Sequence, residues 1–134
     1  NTMTASWGGL GHLWNRDVAF IFVRPQRYTF EYVEAHAHFT LSFFEPQHRD
    51  ILQFCGTHSG RNVDKVARTG LTPAVGPTGA VYFEEARLVL ECRKLYAQDL
   101  EASAFIQTDI PKEVYAAGDF HRLYMGEILR VLKR

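Results

Sequence analysis

Hydroxyl, glycine and basic side chains cluster in the stretch CGTHSGRNVDK, residues 55–65, where a loop is predicted to lead into a helix. Ser59 and Gly60 permit a close approach to the backbone, and Arg61 and Lys65 add positive charge. The first turn of a helix carries N–H groups without carbonyl partners and the positive end of the helix dipole. The stretch is typical of an anion-binding turn, and an ordinary capped helix with solvated cations is the alternative.

A second stretch, RPQRYT at residues 24–29, repeats this chemistry at a predicted strand-to-helix turn. Gln26 offers an amide, Thr29 offers a hydroxyl, and the guanidinium fork of Arg27 suits phosphate. A capped helix again explains the stretch taken alone. If the two turns meet in the fold, however, together they would hold a phosphate dianion.

The opening NTMTASWGG has a different pattern, because hydroxyl residues alternate with apolar ones. Thr2, Thr4 and Ser6 share one face, which predicts a strand over residues 1–7 that ends at Trp7 and two flexible glycines. Such a strand would present hydroxyls and unpaired N–H groups to the polar edge of a flat heterocycle. An ordinary edge strand is the competing interpretation.

His121 stands where the last predicted strand begins, in DFHRLYMGEI. It could donate a hydrogen bond to a reduced cofactor or to a nicotinamide, and we predict it as the catalytic residue. A structural histidine paired with Asp119 or Glu127 fits the sequence equally well. No hydrolase triad, metal-ligand spacing or dinucleotide-binding glycine motif is evident, so no metal site is predicted.

Composition predicts a single globular domain over residues 1–134, because the chain is 134 residues long and 46% apolar. Fifteen basic residues balance fifteen acidic ones, so no global field draws the chain to nucleic acid or to a membrane surface. Two cysteines suit a reduced, cytoplasmic setting. The chain also begins within a patterned segment, and we expect a preceding strand to be missing.

Hydrophobic periodicity predicts a mainly β protein with inserted helices. Strands are expected over residues 18–23, 39–44, 88–92 with an extension towards Tyr96, and 123–131 with a bulge at Gly126. Helices are expected over 29–34 after a Thr29 cap, over 51–55 with a stop at Gly56, and over 63–69 after Ser59 or Asn62. This order favours a closed or nearly closed antiparallel barrel carrying helical decorations.

Five segments occur in an order that resembles the flavin reductase-like family with the FMN-binding split barrel, especially its flavoredoxin-like branch. They are NTMTASWGGLGHLWN, VRPQRYTFEYV, FCGTHSGRNVDKVARTGLTP, EEARLVLECRKLYAQDL and DFHRLYMGEIL. The resemblance implies an antiparallel split β-barrel, normally a homodimer, that binds FMN non-covalently. It also implies an oxidoreductase that passes electrons from NAD(P)H or a redox protein, with a non-catalytic flavin-binding or electron-carrier module as the alternative.

Carried over by motif, the resemblance assigns two groups of cofactor-binding residues. The flavin ring would contact the opening segment through Asn1, Thr2, Thr4, Ser6 and Trp7. The phosphate and ribityl chain would be held by Gln26, Arg27, Thr29, Ser59, Arg61 and Lys65. Three features depart from the family pattern: the strand that usually precedes NTMT is absent, Asn62 stands where Asp is common, and EVYAAGDFH differs from the commoner proline-containing approach to the last strand.

Overall fold

Two long strands, β6 (Leu88–Asp99) and β7 (Arg122–Lys133), form the centre of a computed structural model that describes residues 1–134. They belong to a five-stranded antiparallel sheet in the order β1-β2-β7-β6-β3, with β1 (Gly8–Leu13), β2 (Arg16–Val23) and β3 (His38–Phe43) as its other members. A separate two-stranded sheet pairs β4 (Pro73–Val75) with β5 (Val81–Phe83). The main sheet is thus antiparallel throughout, as predicted.

Four short helices decorate this sheet: α1 (Tyr28–Ala35), α2 (Arg49–Thr57), α3 (Lys65–Thr69) and α4 (Asp109–Val114). Single 3₁₀ turns precede α2 at Pro46–His48 and follow β6 at Ala102–Ala104. None of the helices is long and apolar enough to span a membrane.

The buried core lies between the sheet and α1, where apolar residues of β2, β3, β6 and β7 face the helix residue Val33. Tyr124 on β7 is fully buried, and its hydroxyl donates to Glu34 Oε1 of α1 at 2.5 Å. Arg122 pairs with the same carboxylate at 2.9 Å and with Asp99 Oδ1 at 2.8 Å. These polar contacts fix α1 on the sheet and so fix where its first turn begins.

The β6–β7 ladder contains two irregularities, but Gly126 is the extra residue in neither. Leu129 is left out of the pairing on β7, and Leu95 is left out on β6, opposite the step from Gly126 to Met125. Gly126 itself is paired with Lys94 and Ala19. The predicted bulge at Gly126 is therefore wrong. The glycine is needed for another reason, since a Cβ there would lie 2.7 Å from the Phe39 ring and 3.0 Å from Cys92 Cβ.

The predicted strand over residues 1–7 is also wrong, because residues 1–6 pair with no strand and β1 starts only at Gly8. The opening residues bond instead to the helical side of the molecule, where Thr2 O accepts from Lys65 and Thr4 Oγ1 donates to Leu52 O. Gly8 and Gly9 are not a flexible end. They begin β1, and glycine is required at both positions because a Cβ there would collide with Phe20 of β2.

The helix boundaries differ from the predicted ones at their caps. Arg27, not Thr29, precedes α1 and makes no side-chain capping bond, and α2 continues through Gly56 to Thr57. Asp64 caps α3 by accepting from Ala67 N at 3.1 Å, which replaces the predicted Ser59 or Asn62 cap. Gly70 ends α3 as predicted, in the left-handed conformation at φ 73°.

Replacing Gly126 by alanine tests the close packing of β7 on β3. We expect Gly126→Ala to lower the free energy of unfolding by about 1–3 kcal/mol, because the added methyl overpacks a rigid ring and a buried thiol. Gly11→Ala is the matched strand control, since nothing lies within 4 Å of its Cβ position. Urea unfolding of both variants measures the difference, and equal stabilities would contradict this account of Gly126.

Candidate functional site

The two predicted anion-binding turns meet in the structure. A cavity of about 200 Å³ lies between the start of α1, the loop after α2, and the start of α3. Its lining residues are Asn1, Gln26, Arg27, Tyr28, Thr29, Thr57, His58, Ser59, Gly60 and Lys65. We call this space the polar pocket. It contains members of both sequence motifs, which lie some thirty residues apart in the chain.

Lys65 is the most unusual residue of the polar pocket, because only 6% of its surface is exposed. Its Nζ donates to Thr2 O at 2.7 Å and to Cys55 O at 2.9 Å, and no carboxylate pairs with it. An ammonium has three donors, so one N–H is left for a ligand. Burial lowers the pKa of Lys65, and the charge of neighbouring Arg27 lowers it further.

Arg27 brings a second cation to the polar pocket without a carboxylate partner. One of its terminal nitrogens donates to Gly56 O at 3.0 Å, and the residue forms no ion pair. It directly precedes α1, whose opening N–H groups have no side-chain cap. Buried or half-buried cations without counter-charges are costly. The polar pocket is therefore electrostatically suited to an anion.

Close packing of the loop after α2 shapes the floor of the polar pocket. A Cβ on Gly60 would lie 2.2 Å from Asn1 Oδ1 and 3.0 Å from the Tyr28 ring, so only glycine fits there. Asn1 Nδ2 in turn donates to Thr29 Oγ1 at 2.8 Å. Ser59 Oγ accepts from the amide of Arg61 at 3.2 Å, which holds the loop in a tight turn.

Two residues predicted for the phosphate clamp have other partners. The Arg61 guanidinium pairs with Glu31 Oε1 at 2.7 Å and stacks on Tyr28 with 4.5 Å to the ring centroid. It does not line the polar pocket. Gln26 does line it, but its Nε2 donates to Asp119 Oδ2 at 2.8 Å. Arg27 and Lys65 are thus the two cations of the pocket.

A larger groove of about 1540 Å³ adjoins the polar pocket. The two spaces share Asn1, Tyr28, Thr29, Gly60 and Lys65 as lining residues. Thr2 and Thr4 line the groove from the opening segment, and Phe22 lines it from β2. A molecule with an anionic end in the polar pocket therefore has room to extend into a mixed polar and aromatic groove.

His121 and Trp7 lie together, with ring centroids 5.0 Å apart, although neither lines the groove or the polar pocket. Phe22 links them to the groove, since its ring contacts His121 edge-on with 6.4 Å between the centroids. Ser6 lines neither space and makes no side-chain hydrogen bond. The structure thus brings together the predicted catalytic histidine and the predicted ring-contacting tryptophan.

The structural pairing considered for His121 is not observed. Asp119 Oδ2 accepts from Arg24 at 2.6 Å and from Gln26, and Glu127 Oε2 accepts from Arg16 at 2.9 Å and from Arg93 at 2.6 Å. His121 Nδ1 lies instead 2.7 Å from the Tyr115 hydroxyl. Burial lowers the pKa of His121, and the charge of Arg24 lowers it further, so the imidazole is neutral at neutral pH.

Three lining residues of the polar pocket were not anticipated: Tyr28, Thr57 and His58. The His58 ring stacks on Phe54 with centroids 4.1 Å apart, and its Nδ1 lies 3.1 Å from Phe54 O. All three lie within the two quoted stretches, residues 24–29 and 55–65. Membership of those stretches was the signal that could have found them.

Comparison with known proteins identifies the family of the chain. The sequence model of the flavin reductase like domain matches residues 3–134, and the chain belongs to that family. Comparison with curated proteins gives no match.

Solved structures share the fold at low sequence identity. Flavoredoxin of Desulfovibrio vulgaris (Miyazaki F) is 23% identical, with a TM-score of 0.76 over 98% of this chain and 61% of that one. An FMN-binding protein from Thermus thermophilus is 24% identical, with a TM-score of 0.75 over 97% of this chain and 62% of that one. A putative flavin reductase with split barrel domain from Shewanella frigidimarina is 20% identical, with a TM-score of 0.70 over 94% and 57%.

These similarities confirm the predicted family and the antiparallel split-barrel fold. The chain spans about 60% of the length of the Thermus thermophilus protein and of the Desulfovibrio vulgaris flavoredoxin.

Proposed function

We propose that this protein binds FMN non-covalently, with the terminal phosphate in the polar pocket and the rest of the molecule in the adjoining groove. The observation that carries the proposal is the pair of cations, Lys65 and Arg27, that have only carbonyl partners. An anion with several acceptor oxygens would use the third N–H of the lysine and the free donors of the arginine. The Thermus thermophilus relative described as FMN-binding gives independent support.

The residues present fit such a ligand. Gly60 allows close backbone approach, and the first turn of α1 adds a positive dipole end and uncapped N–H groups. Thr2 and Thr4 line the groove, where they offer polar groups to a ribityl chain or to the polar edge of a ring. When bound, FMN would supply the transfer of electrons between a reduced donor and an acceptor.

We infer an FMN-dependent oxidoreductase in which the protein supplies mainly binding and position. The donor is NAD(P)H or a redox protein. His121 is the side chain best placed to contribute an N–H donor, since it is neutral, half-buried and in contact with Trp7 and Phe22. Trp7 and Ser6 lie outside the groove in the isolated chain, and their contact with the ring remains part of the proposal.

Charge removal at the polar pocket tests the placement of the phosphate. We expect Arg27→Gln and Lys65→Met each to weaken FMN binding about tenfold to hundredfold, as the loss of a charged hydrogen bond implies. Arg61→Gln is expected to change it little, because Arg61 is engaged by Glu31 and Tyr28. Fluorescence titration with FMN measures all three, and an equal loss in Arg61→Gln would contradict the assignment.

Lys94→Met is the matched control for the lysine, because Lys94 Nζ also donates to two backbone carbonyls, those of Val33 and Glu34, and lines neither space.

Alkaline pH provides a second check on the lysine–phosphate contact. As pH rises through the lowered pKa of Lys65, the ammonium loses its charge and FMN affinity falls before the ordinary lysine range is reached. Riboflavin has no phosphate, so its affinity should not fall over this pH range. An equal fall in riboflavin affinity would argue against a lysine–phosphate contact.

Visible absorption under anaerobic conditions tests the oxidoreductase assignment. With FMN bound, we expect the flavin bands to bleach on addition of NADH or NADPH, and His121→Ala to slow that bleaching without loss of flavin. Bands that bleach only with dithionite would indicate an electron carrier that another protein reduces. Protein that retains no flavin would mean that the chain shares the fold of its family and not the cofactor.

We also infer that the protein acts as a homodimer. Trp7 and Trp14 are each about half exposed, at 51% and 52%, and Trp14 contacts the exposed ring of Tyr96 at 6.2 Å between centroids. Exposed aromatic groups of this size mark protein interfaces more often than free surface. Sedimentation equilibrium should give twice the mass of one chain, and Trp14→Ser should lower the association. A monomer at all concentrations would exclude this arrangement.

A further inference from the structure

Tyr115 and His121 form an isolated hydrogen-bonded pair beside the groove. The Tyr115 hydroxyl and His121 Nδ1 are 2.7 Å apart, and neither group bonds to a third side chain. Tyr115 directly follows α4 and is only 6% exposed. Its ring stacks on Phe120 at 4.6 Å and contacts Phe105 at 6.2 Å.

The surroundings decide which of the two groups donates. Burial raises the pKa of Tyr115, so its phenol keeps the proton at neutral pH. A buried O–H needs an acceptor, and the only one in reach is His121 Nδ1. If Nδ1 carried the proton instead, the phenol O–H would be left without an acceptor among aromatic rings. The phenol is therefore the donor, and Nδ1 is the acceptor.

The other groups around His121 disfavour its charged form. It is faced by Tyr115 after α4, by Phe22 and Arg24 at the end of β2, by Trp7 before β1, and by Asp119 before β7. Its backbone carbonyl accepts from Leu100 N at 3.0 Å, after β6. The nearest cation, Arg24, repels a second positive charge. The carboxylate of Asp119, which would attract one, is bonded to Arg24 and Gln26.

We propose that Tyr115 is a positioning residue that donates its hydroxyl proton to Nδ1 and holds His121 as the neutral tautomer with its proton on Nε2. Nε2 has no protein partner, so the ring presents one N–H donor in a fixed orientation. The use of that donor towards a flavin or a nicotinamide rests on the proposed function. The tautomer itself is a property of this chain alone.

Nuclear magnetic resonance of the ¹⁵N-labelled full chain, without added flavin, tests the tautomer. Long-range ¹H–¹⁵N correlations across a pH series identify the protonated nitrogen and the titration midpoint of His121, and His121→Gln assigns its signals. We expect the proton on Nε2 throughout the neutral range. A neutral ring with its proton on Nδ1 in the wild-type chain would overturn the proposal.

Tyr115→Phe removes the donor while keeping the aromatic stack with Phe120. We expect the His121 midpoint to shift to higher pH and the Nδ1 resonance to move, because the neutral ring has lost its hydrogen bond. Tyr32→Phe is the control, since Tyr32 donates only to the exposed Tyr28 hydroxyl at 2.9 Å. An unchanged midpoint and Nδ1 resonance in Tyr115→Phe would show that the phenol does not control the imidazole.

Flavin reduction then tests the positioning role separately. In the FMN-loaded protein we expect Tyr115→Phe to slow reduction several-fold at neutral pH with unchanged FMN affinity, and the Tyr115→Phe/His121→Gln double variant to be no slower than His121→Gln. Reduction of Tyr115→Phe at the wild-type rate would overturn the role. If no donor reduces the wild-type protein, the proposed function fails, whereas the resonance experiment still decides the tautomer.

Discussion

A buried ammonium group joins the segments that make the site. The Nζ atom of Lys65, at the start of α3, bonds to Thr2 O in the opening segment and to Cys55 O in α2. The opening segment and the distant stretch from α2 to α3 therefore share one charge. Each carbonyl is satisfied only while the lysine is in place, and the lysine tolerates burial only because those carbonyls solvate it. The same contacts leave one N–H directed to neither carbonyl, which couples the local fold to anion binding.

The position of that lysine depends on the helices, and these depend on the sheet. Tyr124 and Arg122 of β7 anchor the Glu34 carboxylate of α1, which fixes the first turn of α1 and with it Arg27. Asp64 caps α3 at the residue just before Lys65. The site thus uses rigid elements to orient its cations, and the intervening loop contributes glycine and hydroxyl groups. This division of roles is common in cofactor sites, where precision comes from helices and strands.

A second polar network, made by Arg24, Gln26 and Asp119, lies between the polar pocket and His121. Arg24 and Gln26 share the Asp119 carboxylate, and Gln26 also lines the polar pocket. The Arg24 guanidinium also lies over the Tyr115 ring, 5.4 Å from its centroid, and Tyr115 bonds to His121. Because the histidine is held neutral by its surroundings, it serves as a donor and not as a second cation. The two ends of the proposed FMN site therefore differ in charge, as a dianionic phosphate and a neutral ring system require.

Much of this followed from the sequence, and the reasons are local. A short, bounded apolar run at residues 18–23 and a period-two pattern at residues 88–96 predicted strands that the structure confirms. Both signals are local, because the pleat itself imposes the alternation and burial on both faces imposes the continuous run. Basic, hydroxyl and glycine residues at two helix starts predicted an anion site, and the ordered motifs indicated the family. The tertiary structure alone decided that Arg61 pairs with Glu31 while Lys65 is buried, because side-chain partners come from other segments. It also placed residues 1–6 against helices and not in a sheet, and it paired Tyr115 with His121. Gly126 proved to be required by the close approach of the Phe39 ring. Each of these results depends on contacts across the fold that no spacing in the chain encodes.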